Sequence, residues 1–114
     1  MPHCIIEHSK VLAKHIDFDE LVAKVHDDLK QCGLFHEKDI KTRALGYKHC
    51  IAGDGTSDFI HVNIKTLPGR PLEIKKQLTK KIHQTLSDIF ITGVIITVEI
   101  TEIEKETYIK IFHS

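Results

Sequence analysis

Three residues stand out for the chemistry they could carry: Pro2, and Arg43 and Arg70, the only arginines in the chain. An initiator Met before a small residue such as Pro is normally removed. Removal here would leave Pro2 as a free secondary amine. A free α-amino group titrates near about 7.7–8.0. Burial and neighbouring cations both disfavour its charged form and push it towards neutrality, where an amine serves as a general base. The apolar residues Cys4, Ile5 and Ile6 follow almost at once, so the amine is expected at the head of a buried strand rather than on a frayed end. Arg43 falls in a strand-like segment. Arg70 immediately precedes Pro71, at the expected start of a helix, where unpaired N–H groups and the helix dipole favour an anion. Guanidinium grips a carboxylate through two parallel hydrogen bonds, which lysine cannot do. An amine base near two arginines describes a site for a carboxylated or dianionic substrate. The competing reading is two ordinary salt bridges to Asp or Glu.

The rest of the composition narrows the field. The chain has 114 residues, with 16 acidic and 16 basic side chains, so residues 1–114 fit a single domain with no charge bias towards nucleic acid or an anionic membrane. The longest apolar run, around residues 89–98, is broken by Thr92, Gly93 and Thr97 and is too short to span a bilayer. No basic segment followed by a long apolar run opens the chain, which makes a cytoplasmic location the expectation. Cys4, Cys32 and Cys50 are widely spaced, and the nine histidines form no HxH or HExxH cluster. No metal site is expected.

The elements that must position these residues can be read from periodicity. Residues 2–8 read as a strand, and residues 11–16 as a loop or short helical turn. Asp17 then looks like an N-cap, with Glu20 completing a capping box and Ile16 and Leu21 placed for a hydrophobic staple. Phe18, Leu21, Val22, Val25, Leu29 and Cys32 repeat at helical spacing, with Asp27, Asp28 and Lys30 turned outward and Gly33 as the stop. Residues 40–51 read as a strand bent at Gly46, with Lys41, Arg43, Leu45 and Tyr47 on one face and Thr42 and Ala44 on the other. A turn over residues 52–58 leads to an alternating strand over residues 59–66, expected to pair antiparallel with the strand before it. Pro71 suits the first position of a second helix, whose buried stripe is Ile74, Leu78, Ile82, Leu86 and Ile89, with Lys75, Lys76, Lys80 and Lys81 solvated. A strand from Val94 and a last short strand over residues 108–112 close the chain. The order implies an α+β fold: two βαβ units, about residues 1–51 and 58–103, in a mixed sheet with both helices on one face, plus a C-terminal strand at 107–112. Such crossovers are right-handed. The opposite face would need covering by other subunits.

The segment Pro2-His3-Cys4-Ile5-Ile6-Glu7, with Ile40-Lys41-Thr42-Arg43 and Leu67-Pro68-Gly69-Arg70-Pro71-Leu72-Glu73, resembles the tautomerase superfamily, in particular its 5-carboxymethyl-2-hydroxymuconate delta-isomerase branch. The similarity runs through nearly the whole chain. It implies a homotrimer that works without metal or organic cofactor in aromatic-compound catabolism. It further implies Pro2 as the proton carrier, Arg43 as a catalytic residue and Arg70 as a binder of substrate carboxylate. Family members can carry an arginine where this chain has Lys41, which would keep the charge at a substrate-binding position without the bidentate grip. The implied reaction moves a proton in a 2-hydroxymuconate-like keto-enol acid. The competing expectations are a tautomerase of another enol acid, such as a phenylpyruvate-like compound, and a non-catalytic trimeric binding module. Phe59, Leu45 and Ile64 are candidates for an apolar wall around the site.

Overall fold

The computed structural model describes residues 1–90 and 92–114; Ile91, within the apolar run noted above, lies outside them. The chain runs β1 (His3–Ser9), α1 (Phe18–Gln31), β2 (Lys41–Tyr47), β3 (Asp58–Thr66), α2 (Leu72–Ile89) and β4 (Val94–Glu102). Short 3-10 turns cover Lys10–Lys14, Glu37–Asp39 and Lys105–Thr107. The four strands form one mixed sheet in the order β2-β1-β3-β4. The β1–β2 and β3–β4 pairs, each bridged by a helix, are parallel, and the two halves join through the antiparallel β1–β3 pair.

This order corrects one expectation. β2 and β3 do not pair as a hairpin, because β1 lies between them. Burial accounts for the arrangement. The inward residues Cys4 and Ile6 of β1 and Ile60, Val62 and Ile64 of β3 are fully buried, whereas the inward residues of β2 and β4 are only half-buried. The two central strands are flanked by strands on both sides, and their inner faces are closed off more completely than those of the edge strands. The connection over residues 48–57 is longer than a tight hairpin turn and is free to cross the end of β1. At that crossing the Ser9 hydroxyl accepts from the Phe59 amide at 2.9 Å.

Both helices cover the inner face, and Leu21, Val25, Leu29, Leu78, Ile82 and Leu86 pack with it into one core. Asp17 caps α1 by accepting from the Asp19 and Glu20 amides. The reciprocal half of the capping box is not made: the Glu20 carboxylate instead lies 3.5 Å from Lys24 one turn on. Gly33, at φ 75°, ends the helix in the left-handed region that glycine enters without strain. Asp28, expected to face outward, is buried between the helices and accepts from Thr85 Oγ1 at 2.6 Å. At Gly46, a Cβ would approach His8 Cε1 to 2.9 Å, so β1 leaves room there only for glycine. Pro71 occupies the N-cap of α2 rather than its first helical position.

The last segment is a further correction. Beyond the turn at Lys105–Thr107, the residues expected to form a strand adopt no strand within the chain. A strand needs a partner edge, and the tail instead crosses the sheet end near the start of β1, where Tyr108 reaches His3 and Lys110 reaches Asp39. Ile109, Ile111 and Phe112 are largely exposed there.

Candidate active site

Pro2 is fully buried at the head of β1, and its carbonyl accepts from the Lys41 amide at 3.1 Å. This bond belongs to the first pair of the parallel β1–β2 register, His3 opposite Lys41, which is how the sheet seats the N-terminus beside Lys41. The preceding Met1 amine donates to the Asp39 carbonyl at 3.2 Å and lies 4.0 Å from the Asp39 carboxylate. Burial holds this amine below the ordinary N-terminal pKa. Asp39 is the largest opposing influence, and the positive charges of Lys41, Lys110 and Arg70 add to the lowering. An amine in this corner is therefore biased towards its neutral, proton-accepting form. Lys110 also pairs with Asp39 at 2.6 Å, and that pairing holds the Asp39 carboxyl below its usual range.

The four residues singled out from the sequence divide into two groups. Lys41 and Arg70 act on the N-terminal corner. Lys41 is exposed, with Nζ donating to the Asp39 carbonyl at 3.3 Å. Arg70 is largely engaged internally. Its Nη1 donates to Thr66 Oγ1 at 3.1 Å and to the Leu67 carbonyl at 3.0 Å, and its Nη2 donates to the Leu34 carbonyl at 3.1 Å. The guanidinium carbon also sits 4.8 Å above the Phe35 ring, a favourable cation–π placement. Nε and one Nη2 hydrogen are left without a protein acceptor among the described residues. Arg70 thus pins the end of α1 to the β3–α2 connection and retains limited capacity for an anion.

Arg43 belongs to the open face of the sheet. Strand alternation puts it opposite the inward residues, across from Ile5 in register, and Nη1 donates to His3 Nδ1 at 3.2 Å. It borders a cavity of about 460 Å³ together with His3, Ile5, Lys65, Thr101 and Tyr108. A larger cavity, about 510 Å³, lies at the far end of the sheet among Ser9, Lys10, Tyr47, Lys48 and Phe59. Pro2 lines neither cavity. The expected apolar wall is also corrected. Ile64 is buried in the helix-side core, Leu45 is 60% exposed on the open face, and Phe59 belongs to the distant cavity. Ile5 and Ile103 are the apolar residues that flank Arg43's cavity.

Sequence reading missed His3, Asp39, Tyr108 and Lys110. His3 did carry a signal. In a strand with period two it must share the open face with Ile5 and face Lys41 and Arg43 across the parallel register. Asp39, Tyr108 and Lys110 carried none, since only the folded chain brings the tail to the N-terminus. Among the described residues, no three His, Cys, Asp or Glu side chains gather as metal ligands. No described helix is long and apolar enough to cross a membrane.

Comparison with known proteins places this arrangement in context. A family model described as 5-carboxymethyl-2-hydroxymuconate isomerase matches residues 2–111. Among solved structures, a 5-carboxymethyl-2-hydroxymuconate delta-isomerase superposes with TM-score 0.88 at 18% identity, covering 99% of this chain and 89% of that one. A 5-carboxymethyl-2-hydroxymuconate isomerase from Deinococcus radiodurans R1 gives 0.87 at 23% identity, covering 98% and 90%. The W0 fused 4-OT wild-type symmetric trimer gives 0.74 at 14% identity, covering 91% and 88%. Among curated proteins, none matches this chain.

Proposed function

Because this chain belongs to the 5-carboxymethyl-2-hydroxymuconate isomerase family, we propose that it is an isomerase that shifts a proton along a 2-hydroxymuconate-like keto-enol acid, with the amine of Pro2 as the proton carrier. The observation that carries the reading is the buried Pro2 next to a terminal amine, that of Met1, whose protonated form burial and nearby cations disfavour. Moving a double bond along a conjugated acid requires a proton to leave one carbon and return to another. A neutral amine can do both when its pKa lies near the working pH. Between the two steps, negative charge builds on a dienolate oxygen, and a cation aimed at that oxygen lowers the barrier. Arg43 is assigned that role. Lys41, beside the amine, and the remaining donors of Arg70 are assigned to a carboxylate that keeps its charge throughout.

In one subunit Pro2 and Arg43 do not line a common cavity, so the reading includes assembly as a homotrimer that supplies the missing walls. Leu45, Tyr47 and Ile95 on the open face and Ile109, Ile111 and Phe112 on the tail are exposed apolar side chains that such an assembly would cover. A symmetric trimer among the structures sharing this fold supports that form.

The test is turnover of 2-hydroxymuconate and of arylpyruvate enols, alongside covalent labelling of the N-terminal amine near neutral pH. Turnover that is lost on labelling supports the reading. An unreactive amine with no turnover of any keto-enol acid refutes it.

A further inference from the structure

Arg43 does not stand alone on the open face. His3 lies between it and the tail, with Nδ1 at 3.2 Å from Arg43 Nη1 and Nε2 at 3.1 Å from the Tyr108 hydroxyl. The ring of Tyr108 meets the imidazole edge-on, with centroids 6.3 Å apart. Donor and acceptor roles follow from chemistry. Guanidinium has only donors and stays charged, so Nδ1 must be the bare, accepting nitrogen. The imidazole hydrogen is then on Nε2, where the Tyr108 oxygen receives it. One tautomer satisfies all three groups, and only in the neutral ring.

We propose that His3, held in the Nε2–H tautomer by Tyr108, is the positioning residue for Arg43, and that the guanidinium is held in its working orientation only while His3 is neutral. A protonated ring would carry a hydrogen on Nδ1, lose the acceptor that Arg43 uses, and repel it. The surrounding charges favour the neutral ring. Lys41 and Arg43 on β2 and Lys65 opposite His3 on β3 are all cationic neighbours, and the Met1 amine, while present, acts in the same direction. Glu102 at the end of β4 is the acid lining the same cavity, and Tyr108 is the tail's contribution. Burial first, then Arg43 and Lys41, hold the His3 pKa below its ordinary value. The tail thereby gains a task in the reaction, through Tyr108 to His3 to Arg43.

This inference rests on the assignment of Arg43 to the developing oxyanion, so its test has one arm independent of activity. Long-range ¹H–¹⁵N correlation spectra of the whole protein should show His3 as the Nε2–H tautomer at neutral pH, and Tyr108→Phe should erode that preference. With 2-hydroxymuconate as substrate, Tyr108→Phe should lower kcat by about 3- to 10-fold, the worth of one hydrogen bond, with little change in KM. His3→Ala should lose at least as much. His3→Asn, whose side-chain oxygen can accept in place of Nδ1, should recover most of that loss. Below the His3 pKa, log kcat/KM should fall more steeply in the wild type than the slope of about one set by the amine alone, because protonation of His3 adds a second loss, and it should keep the slope of about one in His3→Asn. A wild-type kcat and slope in both Tyr108→Phe and His3→Asn overturns the proposal while leaving the proposed activity intact. A Nδ1–H or cationic His3 at neutral pH overturns it as well. If the tautomer is as stated but the wild type turns over no keto-enol acid, the functional reading falls, and the positioning role falls with it.

Discussion

Arg70 Nη2 donates to the carbonyl of Leu34 at 3.1 Å, tying the residue just past the end of α1 to the segment that launches α2. The same guanidinium holds Thr66 and Leu67, so one side chain joins three places in the chain. A lysine has a single ammonium and cannot reach three divergent acceptors with a planar fork. Arg70→Lys is therefore expected to lower unfolding stability by about 1.5–3 kcal/mol, the range for hydrogen bonds to a charged group, and to raise KM more than it lowers kcat. Arg43, which donates to one side chain, His3, on an exposed face, should behave oppositely: Arg43→Lys should leave the denaturant midpoint nearly unchanged and reduce kcat by about 10²- to 10³-fold, as for other oxyanion donors. Equilibrium unfolding and steady-state kinetics on the two variants decide the division. Matching profiles for both would sink it.

Removal of Met1 should be required for turnover, because an amide nitrogen at Pro2 is not basic. Intact mass should match a chain starting at Pro2, and a form with an uncleaved N-terminal extension should be inactive. Pro2→Ala keeps a primary amine and should lose roughly 10²-fold in kcat, within the range of general-base catalysis. Full activity in the extended form would exclude the amine as the base.

Charge changes around the amine should move the pH–rate profile in opposite directions. At the Met1 amine, burial is the largest influence and lowers the pKa, Asp39 raises it, and Lys41 and Lys110 lower it; the same charges are expected to act in the same sense on the Pro2 amine that Met1 removal would leave. Activity should rise as the amine deprotonates. Asp39→Asn should accordingly shift that rise to lower pH, and Lys41→Gln should shift it to higher pH. Measurement of kcat/KM against pH for the three proteins tests the signs. A common midpoint for all three would remove these residues from the amine's environment.

Asp28 offers a test of the fold separate from the site. Burial between α1 and α2 raises its pKa, while the Thr85 hydrogen bond and Lys81 counteract this. The folded state then holds this proton more tightly than the unfolded chain does. The stabilisation is fully present below the ordinary Asp range and is lost as pH rises through the folded value. Asp28→Asn keeps an acceptor for Thr85 and carries no charge. It should flatten that decline and be at least as stable as the wild type at neutral pH. Urea midpoints across mildly acidic to neutral pH would check it, and a clear loss of stability in the variant at neutral pH would contradict it.

Local pattern carried much of this protein. The Asp17 cap, the Gly33 stop and the alternation of Lys41, Arg43, Leu45 and Tyr47 were legible because each depends on a few neighbouring residues and on the fixed periods of helix and strand. The parallel β1–β2 and β3–β4 pairs followed from helical crossovers. The tautomerase-like fold and the family were legible from Pro2 with the Arg43 and Arg70 segments. Pairing between the halves was not legible, since the choice of β1 over β2 as partner for β3 depends on comparing burial across the whole sheet. Nor was the seating of Asp28 against Thr85, which depends on how two distant helices rotate against each other. The surroundings of Pro2 and Arg43 were decided last and only in three dimensions. His3 from the start of the chain, Asp39 from the turn before β2, and Tyr108 and Lys110 from the tail meet there, and hydrogen bonds and charges act over ångströms in space, whatever the separation in sequence.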